Sequence, residues 1–147
     1  MKKTVDPRMH SAEHILNQTM DRVYGCGRCF SAHVEKKKSK CDYRFDHVLS
    51  DSETRTIETK VNDIIKKNLP VTENFMGLEQ AQSRYNLGKL PPDAGEKIRI
   101  VKIGDYDACP CIGPHVEQTR DIGSFHITST DFKEGVLRVR FKLSHKD

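Results

Sequence analysis

Two histidines separated by about one helical turn, His10 and His14, are the first residues whose types and spacing suggest chemistry. On an α-helix, side chains at positions i and i+4 lie on the same face, so both imidazoles can reach one metal ion. Two surface histidines would show the same spacing. Here both residues lie at the border of an apolar stripe, which places them at the edge of the core and predicts half of a metal site.

A thiol and an imidazole with the same spacing, Cys111 and His115, can supply the other half. Gly113 and Pro114 between them prevent an ordinary helix. We therefore expect a tight loop after a strand, where binding residues are commonly found. With the two helical histidines, this loop offers three nitrogen ligands and one sulfur ligand, a donor set that suits tetrahedral Zn²⁺.

The Cys26-x-x-Cys29 pair is a competing feature, because this spacing is typical of metal and redox sites. The sequence contains no second pair of this kind, since Cys109-Pro-Cys111 is only a Cys-x-Cys. A redox pair would begin a helix after a strand, whereas this pair follows a predicted helix and precedes a predicted strand. We interpret Cys26 and Cys29 as turn and strand residues, with a mixed Cys/His metal site as the alternative.

Glu13 extends the first motif to His-x-x-Glu-His, the pattern of inverted zinc peptidases, in which the glutamate activates a metal-bound water. Those enzymes need a further ligand from another helix and a large peptide cleft, and a chain of 147 residues is small for both. A peptidase is therefore disfavoured. The basic run at 36–40 has two open interpretations, a contact with a phosphate backbone or a solvated hairpin tip that protects an edge strand.

The composition limits the class of protein. A chain of 147 residues is the length of one domain, and its net charge of +4 permits contact with a polyanion without requiring it. Five cysteines, an odd number, exclude a complete disulfide framework. No apolar run is long enough to span a membrane, and the first ten residues lack the apolar region of a secretory signal. We expect a protein of the reducing cytoplasm.

The order of predicted elements indicates an α+β fold. Asp6 and Pro7 begin a helix that ends at Gly25, and the capping box Ser50–Glu53 begins a second helix. We expect one domain with a mixed or antiparallel sheet and the helices packed on one of its faces. The other predictions are strands at 30–35, 41–49, 71–75, 97–103, 123–132 and 136–143, a short helix at 78–85 and an irregular connection at 86–95.

Several stretches, in order, resemble the editing domain of alanyl-tRNA synthetases and its free-standing relatives, the AlaX proteins; the editing domain of threonyl-tRNA synthetases is similar. The likeness extends over roughly residues 8–141. The stretches are His10-Ser-Ala-Glu-His14-Ile-Leu, Tyr43-Arg-Phe-Asp46, Ile57-Glu-Thr-Lys-Val-Asn62, Ile100-Val-Lys-Ile-Gly-Asp105 and Cys111-Ile-Gly-Pro-His115 with the residues up to Gly123.

The resemblance implies an α+β domain that hydrolyses wrongly aminoacylated tRNA, releasing serine or glycine from alanine tRNA. Because 147 residues leave no room for a synthetase catalytic domain, it implies an editor that acts in trans on mischarged tRNA. Carried over by position, the Zn²⁺ ligands are His10, His14, Cys111 and His115. Removal of serine from threonine tRNA, and a non-catalytic zinc-stabilised module that binds tRNA or a protein, are the alternatives.

Two positions depart from the family pattern or match it ambiguously. The family loop usually reads Cys-Gly-Gly-Thr-His, whereas Ile112 and Pro114 stand here in place of a glycine and the threonine. The family also has a small hydroxyl residue on the strand after the first helix, which helps to recognise serine. Ser31 or Cys29 takes that substrate-binding place, and Glu13 is a possible catalytic base.

Overall fold

The computed structural model describes residues 6–85 and 97–144. The predicted connection at 86–95 lies outside these residues. No helix among them is both long and apolar enough to cross a membrane. In chain order the elements are α1 (Pro7–Tyr24), β1 (Ser31–Val34), β2 (Ser39–Arg44), α2 (Asp51–Lys66), β3 (Val71–Gly77), α3 (Leu78–Arg84), β4 (Lys97–Ile103), β5 (Asp107–Pro110), a 3₁₀ turn (Thr119–Ile122), β6 (Ser124–Lys133) and β7 (Val136–Ser144).

The strands form two sheets, and every strand pair is antiparallel. Strands β1-β2-β7-β6 make a four-stranded sheet, and β3-β4-β5 make a three-stranded one. The predicted α+β class is confirmed, and the sheets follow the antiparallel alternative. The division into two sheets was not predicted, because strand pairing depends on contacts between distant segments that the hydrophobic pattern does not specify.

One predicted strand ends well before its predicted bound, and one strand was not predicted. The strand predicted at 41–49 is β2, which begins at Ser39 and ends at Arg44. Beyond that point the backbone of Phe45 bonds to Gly135, and the His47 ring contacts the carboxylates of Asp46 and Glu53 instead of continuing the strand. Strand β5 was missed. It has only four residues and is defined by its pairing with β4 rather than by an apolar pattern.

Local capping explains where the two long helices begin. The Asp6 carboxylate accepts hydrogen bonds from the backbone N–H groups of Arg8 and Met9, at 3.0 and 3.2 Å, so α1 begins at Pro7 as predicted. The capping box at the start of α2 is also present, with reciprocal bonds between Ser50 and Glu53. Helix α1 ends at Gly25, whose φ of +65° lies in the left-handed region.

The core lies between the two long helices and one face of the four-stranded sheet. Alternate residues of β2 and β7, including Tyr43 and Phe141, point into this core, and their neighbours point to the opposite face. The apolar stripes of α1 and α2 pack on the inward side chains. Helix α1 is therefore held against the sheet with one face buried, which is the face that carries His10 and His14.

Thr119 fixes the end of the segment that contains Cys111 and His115. Its fully buried hydroxyl accepts a hydrogen bond from the Leu69 backbone N–H at 2.9 Å and donates to the last carbonyls of α2, Ile64 and Ile65, at 3.1 and 3.0 Å. The backbone of Thr119 also donates to Leu69. These bonds tie the segment to the C-terminal end of α2.

We expect Thr119→Val to lower the free energy of unfolding by about 1–3 kcal/mol, because the valine leaves the Leu69 N–H buried without its acceptor. Urea denaturation followed by circular dichroism measures the change. The matched control is Thr56→Val on the exposed face of α2, where the lost hydroxyl bonds only to Ser52. Equal effects of the two substitutions would contradict the role assigned to Thr119.

Candidate metal centre

The four residues predicted to bind metal lie together. The ligand atoms of His10, His14, Cys111 and His115 are all within 4.8 Å of one another. The Sγ atom of Cys111 is 3.1 Å from Nε2 of His10 and 3.6 Å from Nε2 of His115. His10 and His14 are only 8% and 3% exposed. Segments 97 residues apart in sequence, between His14 and Cys111, thus meet at one point, as the spacing of the motifs requires.

Nδ1 of His10 and Nδ1 of His115 each have a hydrogen-bond partner, which leaves Nε2 of both rings beside Cys111. Nδ1 of His10 lies 3.1 Å from the carbonyl of Pro114, which can only accept, so the proton must be on Nδ1. Nδ1 of His115 is 2.9 Å from the Ser11 hydroxyl, which also accepts from the Val116 N–H. A hydroxyl oxygen has two lone pairs, so it can accept both bonds.

Asp107 is the outer partner of His14. Nδ1 of His14 is buried and makes no hydrogen bond of good geometry among the described residues. It faces Oδ2 of the buried Asp107 carboxylate at 3.5 Å, the outer limit for such a bond. The same carboxylate accepts bonds from Arg28 at 2.7 and 3.3 Å and from Gln18 at 3.0 Å. Burial alone would raise the pKa of Asp107, but His14 and Arg28 outweigh it and lower the pKa below its usual value. The carboxylate therefore stays charged and orients His14.

The loop from Cys111 to His115 is shaped by β4. The Arg99 guanidinium donates to the carbonyl of Gly113 at 2.6 Å, and the Arg99 carbonyl accepts from the Cys111 backbone N–H at 3.1 Å. Gly113 has a φ of +107°, and a Cβ there would lie 3.2 Å from the His10 ring. Glycine is thus required both by the backbone conformation and by the close approach of α1.

Electrostatics favour the neutral forms of His10, His115 and Cys111 when only protein groups act on them. Burial, followed by the proximity of His14 and His10, lowers the pKa of His115 to about 2. Burial and His14 also lower the pKa of His10. Burial, with the nearby Cys109 and Glu13, raises the pKa of the Cys111 thiol to about 12. A bound cation would reverse the balance at the thiol, because it stabilises a coordinating thiolate.

These observations fit a metal ion. The Pro114 carbonyl fixes the proton of His10 on Nδ1, and the Asp107 carboxylate, 3.5 Å from Nδ1 of His14, favours the same tautomer there. The Nε2 lone pairs are then available, and Cys111 supplies the sulfur among them. Outer partners of this kind are typical of metal-bound histidines. A divalent metal that prefers nitrogen and sulfur is the class of ligand that this cluster would hold.

A second group of side chains lies beside the cluster. Ligand atoms of Glu13, Cys29 and Cys41 are also within 4.8 Å of one another, and the Cys29 thiol contacts the Glu13 carboxylate at 3.6 Å. Asn17 holds this group in place: its Oδ1 accepts from the Tyr43 hydroxyl at 2.8 Å and from the Cys29 N–H at 3.2 Å. Glu13 therefore faces two buried thiols, next to the His/Cys cluster.

The structure separates the other residues that the sequence singled out. Cys26 does not join Cys29, because its thiol contacts the carbonyls of Met20 and Gly27. Cys29 is buried beside Glu13, whereas Ser31 is exposed on β1 and is paired with Asp42. Of the two substrate-binding alternatives, Cys29 is the one next to the cluster.

Sequence reasoning missed the residues that support the ligands. Asp107, Ser11 and Arg99 act through contacts between elements that are distant in sequence. The only sequence signal for Asp107 was an acidic residue just before a Cys-x-Cys. Asn17 gave a signal that could have been used, since it is a polar residue within the buried stripe of α1.

Comparisons with known proteins identify relatives of this chain. The model of the family described as threonyl and alanyl tRNA synthetase second additional domain matches residues 98–140. Over 140 residues, 91% of this chain, the sequence is 33% identical to the alanine–tRNA ligase of Methanopyrus kandleri. Over 144 residues, 92% of the chain, it is 31% identical to the alanine–tRNA ligase of Treponema denticola.

The chain is therefore a relative of the alanyl-tRNA synthetase editing domain, as its motifs predict. It spans only 15% and 23% of the lengths of the two ligases. The relationship supports a part in tRNA editing in general.

We expect Asp107→Asn to weaken the affinity for a divalent metal by about 10- to 100-fold, because the neutral amide no longer orients His14 or strengthens it as a ligand. Titration of the purified chain with Zn²⁺ against a competing chelator measures the affinity. Asp105→Asn is the matched control, since Asp105 is exposed two residues away. An affinity equal to that of the control would show that Asp107 does not support the metal ligand.

Proposed function

We propose that this protein is a zinc-dependent hydrolase that deacylates mischarged aminoacyl-tRNA in trans, with seryl- or glycyl-tRNA of the alanine type as substrate. The observation that carries the proposal is the convergence of His10, His14, Cys111 and His115 in a relative of the alanyl-tRNA synthetase editing domain. The substrate is an ester between an aminoacyl group and the terminal ribose. Its hydrolysis needs a positioned water and stabilisation of the negative charge that develops on the carbonyl oxygen.

The ligand residues would hold Zn²⁺ through three imidazole nitrogens and one thiolate. Bound there, the ion would act as a Lewis acid on the ester carbonyl or orient the aminoacyl group. The protein's own contribution is to hold the ligands, through Asp107, Ser11 and the Pro114 carbonyl, and to offer a carboxylate beside them. Glu13 is that carboxylate, and we assign it the role of accepting a proton from the attacking water.

We assign recognition of the amino-acid side chain to the group formed by Glu13, Cys29 and Cys41, which lies beside the four candidate metal ligands. Its two thiols are buried and are only weak hydrogen-bond donors, whereas Glu13 offers a carboxylate. A site that bonds the serine hydroxyl would reject alanine, because alanine leaves a buried polar group without its partner. We assign the hydroxyl contact to the Glu13 and Cys29 side of the cluster.

A second candidate function is favoured by the number of ligands. Four protein ligands complete a tetrahedral zinc site, and closed sites of this kind are usually structural. On that basis the chain would be a non-catalytic zinc-stabilised module that binds tRNA or a protein. Removal of serine from threonine tRNA is a further alternative, since the matching family includes the threonyl enzymes. All three functions need zinc, and only the two enzymes hydrolyse aminoacyl-tRNA.

We expect the purified chain to contain one equivalent of zinc and Cys111→Ser to lose most of it, because serine is a poor ligand for Zn²⁺ at neutral pH. Elemental analysis after dialysis measures the content. Cys26→Ser is the matched control, because the Cys26 thiol contacts only backbone carbonyls. Loss of zinc in Cys26→Ser with retention in Cys111→Ser would move the metal to the competing Cys-x-x-Cys.

We expect the chain to release serine from alanine tRNA at least about 100-fold faster than alanine, since only serine offers the hydroxyl that the site would bond. Deacylation of seryl-, glycyl- and alanyl-tRNA, prepared with radiolabelled amino acid, measures the rates. The same amino acids on threonine tRNA test the alternative.

His14→Ala is the control for the metal centre and should abolish release. Glu13→Gln should retain zinc and lower the rate of release, which separates a role in the chemistry from a role in folding. If the chain binds one equivalent of zinc but releases none of the amino acids from either tRNA, the proposed hydrolase activity is wrong. The zinc-stabilised module is then the remaining function.

A further inference from the structure

We propose that the outer face of the four-stranded sheet, the face opposite the two long helices, binds the sugar–phosphate backbone of tRNA. This inference rests on the proposed function, because it assumes that the partner is a tRNA, and it assigns the surface that receives it. We call this surface the basic face. It consists of the outward side chains of β1, β2, β7 and β6, which share one side of the sheet because directly paired residues point the same way.

Charge is the first argument. The basic side chains of this face outnumber the acidic ones, Asp42 and Asp131, by six to two. The surplus of four equals the net charge of the whole chain, so the rest of the protein is balanced. Clustering of a protein's positive charge on one surface is the electrostatic mark of nucleic-acid binding. The six basic residues are Lys40, Arg44, Lys133, Arg138, Arg140 and Lys142.

The arrangement of these charges is the second argument. Along β7, Arg138, Arg140 and Lys142 follow one another at about 7 Å, because alternate residues of a strand lie that far apart. Lys40 lies beside Arg140 on the neighbouring strand. A flat array of cations at such spacing contacts several phosphates at once, whereas a single small anion would use only a part of it.

The two carboxylates of the face organise its arginines. The Asp42 carboxylate holds the Arg138 guanidinium with bonds of 2.8 and 3.0 Å, and Asp131 pairs with Arg140. Lys40 and Lys142 have no acidic residue directly opposite them in the strand pairing. The lysines are therefore the charges that a phosphate backbone would neutralise first.

The polar character of the face favours RNA over a membrane. Among its described residues Val136 is the only apolar side chain, so the face offers little that could enter a lipid layer. Its other members are hydroxyl and imidazole groups, such as Ser31, Ser129 and His33, which donate to phosphate oxygens. A groove of about 310 Å³ crosses the sheet here, and its charged lining residues are Lys38, Lys40, Arg140 and one carboxylate, Glu35.

The position of β1 connects the basic face to the metal centre. Cys29, the thiol beside Glu13, comes two residues before β1, the edge strand of the sheet. The next residue, Phe30, is 41% exposed and lies 4.1 Å beneath the Arg44 guanidinium at the margin of the face. An RNA held on the face can therefore pass its end around the start of β1 to the cluster.

The test is binding of unacylated alanine tRNA to the full chain, measured by fluorescence anisotropy over a series of salt concentrations. The variant is Lys40→Glu with Lys142→Glu. We expect its Kd to rise about tenfold or more at 0.1 M salt, and the slope of log Kd against log salt to fall by about two, since each lysine–phosphate contact contributes about one.

The matched control reverses two charges on the exposed side of α2, Arg55→Glu with Lys60→Glu, which gives the same net charge. We expect it to bind within about twofold of the unmodified chain, because its changes lie off the basic face. Zinc content and circular dichroism of both variants show that they fold. Equal losses of affinity in the two double variants would overturn the proposal, and so would absence of tRNA binding by the unmodified chain.

A further arm tests the membrane as the occupant. If the Lys40/Lys142 variant loses binding to vesicles of phosphatidylserine and keeps its affinity for tRNA, the face serves an anionic membrane and the proposal is wrong. Failure of this proposal can be distinguished from failure of the proposed deacylase activity. If tRNA binds through the basic face and no amino acid is released, the proposed enzyme activity is wrong and the proposed binding surface stands. If amino acid is released and the Lys40/Lys142 variant has an unchanged KM, only the proposed binding surface is wrong.

Discussion

Three imidazoles and one thiol confined to a few ångströms of buried space are the constraint on which the rest of this protein depends. The imidazole centroids lie 4.1–5.0 Å apart, so two protonated rings would repel each other in a medium that also disfavours any single charge. The lowered pKa values of His10 and His115 and the raised pKa of Cys111 express this conflict. A bound cation would resolve it, because the crowded groups would become its ligands.

The fold brings the ligands together from two directions, and each direction has its own support. Helix α1 presents one pair from its buried face, with its start fixed by Asp6. The loop presents the other pair, and it is held by Arg99 at one end and Thr119 at the other. Pro114 has a double effect: its carbonyl fixes the proton of His10, while the ring removes a backbone N–H that could otherwise have bonded to a substrate. The altered loop thus keeps both candidate metal ligands, Cys111 and His115, and lacks one backbone donor.

The sequence predicted the features that depend on local rules. The helical spacing of His10 and His14, the cap at Asp6 and the loop enforced by Gly113 all follow from the residues themselves, and the structure contains each of them. What could not be predicted depends on pairing between distant segments. Asp107 becomes a partner of His14 only because β5 pairs with β4, and Cys41 meets Glu13 only because α1 packs on the sheet that contains β2. The basic face likewise appears only when the register places alternate residues of four strands side by side.

The identity of the atoms around a bound metal decides between the two thiol-containing groups beside α1, since one offers a single sulfur and the other offers two. X-ray absorption spectroscopy at the zinc edge of the full chain measures this directly. The account predicts a first shell of three nitrogens at about 2.0–2.1 Å and one sulfur at about 2.3 Å. A shell with two sulfurs, or with none, would contradict the assignment of Zn²⁺ to His10, His14, Cys111 and His115.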